Sequence, residues 1–148
     1  MKPDPQRVLE TTAQQLGLRA GDPALPRYQA AGFGILGGVL GAVREEFDRA
    51  AARSVEENAA LRALFARGAE VAADAALAAQ LRAAAAARDD SLLVPALDAA
   101  NRQLRALLIA LHAHVETLAT PAARELDAEI WRELAASTAR RKLSLSAF

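Results

Sequence analysis

Leu97, Asn101, Leu104, Leu108, Leu111, Val115 and Leu118 fall alternately four and three residues apart. That spacing is the seam of a helix packed along its whole length. Leu107 and Ile109 lie off the seam, so the middle of this helix is apolar nearly all round. Such a helix is expected at the centre of a bundle, or shared between a core and a subunit interface. A second stripe, Leu36, Leu40, Val43 and Phe47, predicts a buried face on a helix from about Arg27 to Ala52.

The remaining elements follow from breakers and caps. Asp4-Pro5 places an N-cap residue before a proline at the first helical position and opens a helix to about Leu16. Gly17 to Pro26 is a breaker cluster. Ser54-Val55-Glu56-Glu57 fits a capping box, and fits equally an exposed stretch of one continuous helix. Gly68 marks a break, and Glu70 to Ala87 has a thin stripe (Val71, Leu77, Leu81) suited to a peripheral helix. Arg88-Asp89-Asp90-Ser91 reads as a solvated turn. Thr120-Pro121 caps the last helix, which carries Leu126, Ile130, Trp131 and Leu134, with the lone Trp expected to anchor it to the core. That helix ends in Arg140-Arg141-Lys142, read as complements of its dipole, and Leu143 to Phe148 trails off.

The chain also nearly repeats itself. Asn58-Ala59-Ala60-Leu61-Arg62-Ala63-Leu64-Phe65 returns as Asn101-Arg102-Gln103-Leu104-Arg105-Ala106-Leu107-Leu108. A polar Asn at one phase of two apolar stripes predicts two helices with related places in one bundle. The expected architecture is all-α, an antiparallel bundle of four or five helices forming a single domain over residues 1–148, with short disordered ends at 1–3 and 144–148.

Composition agrees and narrows the function. Of 148 residues, 53% are apolar but only 4% aromatic, and Ala, the best helix former, is the commonest. Basic and acidic residues number 18 each, so no basic excess points to nucleic acid. The absence of cysteine excludes disulfides, thiolate metal sites and cysteine nucleophiles. The N-terminus lacks the apolar core of a signal peptide, and the uncharged run Tyr28 to Val43 is short of the ~20 residues of a membrane span. The Arg-rich, Lys-poor usage suggests a GC-rich bacterium, and a cytoplasmic location is the expectation.

Candidate chemistry is sparse. Gly32-Phe33-Gly34-Ile35-Leu36-Gly37 has the form GxGxxG, but no strand precedes it and no βαβ unit follows, so glycines on a close-contact helix face are the better account. His112 and Glu116 are one turn apart and share a face, whereas His114 points elsewhere. A core-edge histidine bonded to a backbone or carboxylate partner is the plainer expectation for His112. Asn58 and Asn101 are expected to bond to each other or to a helix backbone and fix the register of the repeat helices. Arg62 and Arg105 recur beside them as anion contacts or as side chains snorkelling from the seam.

These residues define three expectations. The leading one is a non-enzymatic protein acting by association, as a homodimer or as a small subunit of an enzyme complex, with Leu104 to Leu111 as the contact surface. The second is a small-molecule binder with an inter-helix cavity for an acyl or aromatic ligand with an anionic head, contacted by Asn58, Arg62, Asn101 or Arg105. The third is a metal-assisted or acid–base enzyme using His112 and Glu116, with Glu45, Glu46, Asp98 and Glu129 as further ligands. No cofactor is expected, and no metal in the first two.

Overall fold

The structure, a computed structural model, describes residues 4–144. Among them are five helices and no strand: α1 (Pro5–Ala20), α2 (Arg27–Val71), α3 (Ala75–Ala86), α4 (Val94–Glu116) and α5 (Pro121–Arg140). The expected ends at 1–3 and 145–148 lie outside the described residues. Ser144 is described, and its backbone N–H and hydroxyl donate to Glu45. Contacts divide the chain into two units, one of Met1–Ala50 with Lys142–Phe148 and the other Ala51–Arg141; α2 contributes to both.

In the first unit Asp4 caps α1 by accepting from the Gln6 and Arg7 amides at 3.1 and 3.3 Å, with Pro5 at the first helical position. The helix continues past Leu16 and through Gly17 to Ala20, longer than its pattern suggests. Its backbone then reverses, and α1 lies antiparallel on the start of α2. A Cβ at Gly37 would sit 3.3 Å from the Ala13 carbonyl oxygen and 3.6 Å from the Leu16 Cβ, and one at Gly34 would sit 3.7 Å from Ala20. Any side chain at Gly37 would push the two helix backbones apart by a few tenths of an ångström. The contact is tight but thin: α1 has no buried residue, and Ala50 is the only one among the described residues of this unit.

The second unit is an up-down-up-down bundle of α2 from Ala51, α3, α4 and α5. Its core joins Leu61, Leu64 and Phe65 of α2 with Leu81 of α3, Leu104, Leu108, Leu111 and Val115 of α4, and Leu126 and Ile130 of α5. Helix α2 neither starts at Ser54 nor stops at Gly68; it is one helix of 45 residues. Gly68 serves packing here, because a Cβ there would meet the Leu111 methyls at 2.8 and 2.9 Å. Asp74 caps α3 through the Ala76 and Leu77 amides, and Thr120 caps α5 through that of Ala123.

The near-repeat has a spatial meaning. Asn58 pairs with Asn101, and Gly68 packs against Leu111, each pair 43 residues apart. The two copies therefore lie on parallel helices, α2 and α4, in constant register, with α3 and α5 as their return strokes. This places Leu104, Leu108 and Leu111 inside the chain's own core, the central position expected of a helix apolar nearly all round; of that segment Ile109 is the well-exposed large residue.

Candidate functional site

Polar side chains on the buried faces of α2, α4 and α5 form one continuous network. Asn101 donates from Nδ2 to Asn58 Oδ1 at 3.0 Å and to Glu57 Oε2 at 3.4 Å. Asn58 donates to the Leu97 carbonyl at 3.4 Å and to Asp89 at 3.1 Å. Asp89 is clasped by Arg62 through its two terminal guanidinium nitrogens, at 2.7 and 3.1 Å. At the other end Glu57, 2% exposed, accepts from Ser137 at 3.0 Å and from Arg141 at 3.0 and 2.5 Å. Arg105 donates to Ser137 at 3.3 Å and approaches Glu57 to 3.5 Å.

Burial pushes the Glu57 carboxyl up, but the Arg141 and Ser137 hydrogen bonds and the charges of Arg141 and Arg105 outweigh it and leave it below the 4.5 of an ordinary glutamate. The Arg62 hydrogen bond, reinforced by its charge, likewise holds Asp89 below 3.8. A buried carboxylate so completely partnered is held ionised and unavailable as a proton acceptor. Its plainest task is to fix the register of α2, α4 and α5, because any slip would leave a charge buried and unpaired.

Four of the six residues singled out in the sequence are thus brought together: Asn58, Asn101, Arg62 and Arg105. Glu57, Asp89, Ser137 and Arg141 complete the network and escaped the sequence reading. Glu57 and Ser137 carried a usable signal, since each lies in phase with its helix's apolar stripe (Glu57, Leu61, Leu64; Ala123, Leu126, Ile130, Ser137). Asp89 carried none, because its turn has the composition of a solvated loop. Arg141 is bonded to Glu57 rather than serving only the helix dipole.

His112 and Glu116 stand apart from this network. His112 Nε2 lies 2.8 Å from Asp127 and 3.7 Å from Glu116, and its ring meets Trp131 edge-on at 5.3 Å. Trp131 is 57% exposed and covers His112 instead of anchoring α5. His114 accepts the Ala73 amide at 3.1 Å and closes the turn after α2. Of the suggested extra ligands, Asp98 faces Ser54 at 3.5 Å and Glu129 pairs with Arg67. No group of three His, Asp or Glu suited to a metal ion occurs among the described residues.

Two surfaces remain. A half-enclosed groove of about 360 Å³ runs beside the α3–α4 turn, lined by Arg62, Arg88, Asp89, Asp90 and Gln103 over a floor of Ala84, Ala100, Leu104 and Leu107. The Arg62 Nε–H is buried behind this lining and out of reach of solvent, without a hydrogen-bond partner among the described residues. The other surface is the first half of α2, where Tyr28, Ile35, Leu36, Val39, Val43 and Phe47 are 46–75% exposed. At 100° per residue these six lie within one third of the helix circumference, with Gly32 among them. The stripe expected to be buried at Leu36, Val43 and Phe47 is instead open, because α1 covers the opposite, glycine-bearing side of the helix. No helix among the described residues is long and apolar enough to cross a membrane.

No protein-family model, curated protein or solved structure matches the chain.

Proposed function

We propose that the protein acts by association, presenting the first half of α2 to another helix. One observation carries the reading: six large apolar side chains on one face of one helix are exposed together. Monomeric proteins seldom leave a contiguous apolar patch much above a few hundred Å², and larger patches mark interaction sites. The second unit supplies a rigid body with a single register. The first unit, with almost no core of its own, is the part that gains most from a partner. The mode is an amphipathic helix read through positions three and four apart.

The test is native mass spectrometry of the protein purified from its own host, beside a Leu36→Glu/Val43→Glu variant. Association predicts a mass above 15.6 kDa that falls to that of the single chain in the variant. A wild-type protein found only as a single chain would overturn the reading.

A second reading is favoured by the groove at Arg62. A small amphipathic ligand placing an anionic group beside Arg88 and an apolar part on Ala84, Ala100 and Leu107 would fit its volume and lining. A bound small mass lost in an Ala100→Trp variant is the result this reading predicts.

A further inference from the structure

We propose that the occupant of the exposed α2 face is the same face of a second copy, running antiparallel about a two-fold axis near residues 37 and 38. The inference rests on the association reading and names its partner and geometry.

Gly32 supplies the first argument. In a helix interior glycine costs about 1 kcal/mol relative to alanine. At Gly37 close approach of α1 offsets that cost, but a Cβ at Gly32 would meet nothing within 4 Å. Among the described residues no neighbour calls for glycine there, and it lies in the middle of the exposed apolar face. A two-fold near 37–38 places Gly32 level with Val43 of the second copy, so each glycine becomes the notch for a valine. The same operation sets Tyr28 level with Phe47 and Leu36 level with Val39, aromatic with aromatic and aliphatic with aliphatic.

Area supplies the second. From the exposed fractions of the six side chains, with roughly 150–250 Å² for a whole aromatic and somewhat less for an aliphatic side chain, each copy offers on the order of 600 Å². Two copies then bury about 1,200 Å², the lower end of a standard specific interface. Charge supplies the third. The chain has 18 basic and 18 acidic residues, so two copies approach without net repulsion. The first half of α2 carries Arg27, Arg44 and Arg49 against Glu45, Glu46 and Asp48. It therefore lacks the basic margin with which an amphipathic helix holds an anionic bilayer.

The chain has no cysteine, so single-cysteine variants can be spin-labelled cleanly. The experiment uses the purified full-length protein alone, with its mass measured first and label separations measured next at position 47 (Phe47→Cys) or 39 (Val39→Cys). We expect twice 15.6 kDa, labels at 47 about 30 Å apart, and labels at 39 within about 15 Å, from a rise of 1.5 Å per residue and helices 8–10 Å apart. Gly32→Leu, a change with open space around it in its own chain, should weaken the dimer at least tenfold while leaving the circular dichroism spectrum unchanged. A dimer with both pairs of labels close is parallel and overturns the inference while the association reading stands. A single chain here but a larger mass from the host, or binding to neutral vesicles instead, gives the face another occupant and overturns the inference alone. A single chain from both sources overturns both.

Discussion

From Ala50 to Gly68, the positions of α2 spaced three and four apart (Ala50, Ser54, Glu57, Leu61, Leu64, Gly68) are all buried, and they include a carboxylate and a hydroxyl. From Tyr28 to Phe47 the same kind of spacing carries Ile35, Val39, Val43 and Phe47, more apolar side chains, and they are exposed. Hydrophobicity at a position therefore does not decide burial along this helix; the availability of a covering surface does. The later half has α4 and α5 of its own unit against it. Among the described residues the earlier half has α1, which lies on the glycine side through Gly34 and Gly37, and residues 142–144, which bond to Glu45 and Arg49 at the polar edge. The more polar stripe is thus the one buried in its own unit, and the more apolar stripe is the one left exposed.

The largest expected difference between the halves comes from Glu57. Glu57→Ala leaves Arg141, Arg105, Ser137 and Asn101 without their common acceptor; because Arg141 and Arg105 are partly exposed and can rehydrate, the loss should be up to about 3 kcal/mol. Phe47→Ala, removing a bigger side chain, should alter the stability of the single chain by less than about 0.5 kcal/mol while weakening association. Urea denaturation at low protein concentration separates the two, and equal losses would erase the distinction between the halves.

Two glycines of α2 sharpen it further. At Gly68 the added methyl meets the Leu111 side chain, itself fully buried, so Gly68→Ala should lose about 1–3 kcal/mol through overpacking despite the better helix propensity. Gly32→Ala, in open space among the described residues, should gain up to about 1 kcal/mol in the single chain and loosen the proposed dimer. Thermal melts at two concentrations read both effects.

Acid gives a smaller effect with a definite sign. Glu57 and Asp89 are ionised more readily in the folded chain than in the unfolded one. Their contribution is fully present above about 4.5 and is lost as pH falls through their lowered folded values. Stability should hold from neutrality to about pH 5 and then decline, and the decline should be shallower in Glu57→Gln. Smallest of all, His112→Ala removes a partly exposed pairing with Asp127 and should cost under about 1 kcal/mol by the same denaturation assay.

The helices were legible in the sequence wherever a cap or a continuous stripe marked them: Asp4-Pro5, Thr120-Pro121 and the Leu97 to Val115 seam all reappear in α1, α5 and α4. The pairing of Asn58 with Asn101 was legible from the repeat. The break at Gly68 was misread because glycine signals both helix ends and close packing, and only the facing Leu111 distinguishes them. Burial of Leu36, Val43 and Phe47 was misread because periodicity defines a face without saying what covers it. Glu57 was misread because its neighbours Glu56 and Arg53 gave it the look of a solvated run, although its phase with Leu61 and Leu64 pointed inward. Asp89 depends on a loop bringing a carboxylate to Arg62 across 27 residues, which no local pattern encodes.

Hydrogen–deuterium exchange along α2, measured over a hundredfold range of protein concentration, separates a half buried in its own unit from a half covered by association. Amides after Ala51 should be protected at every concentration, whereas those from Tyr28 to Phe47 should gain protection as the concentration rises and copies associate. Protection of both halves that is equal and independent of concentration would contradict that separation.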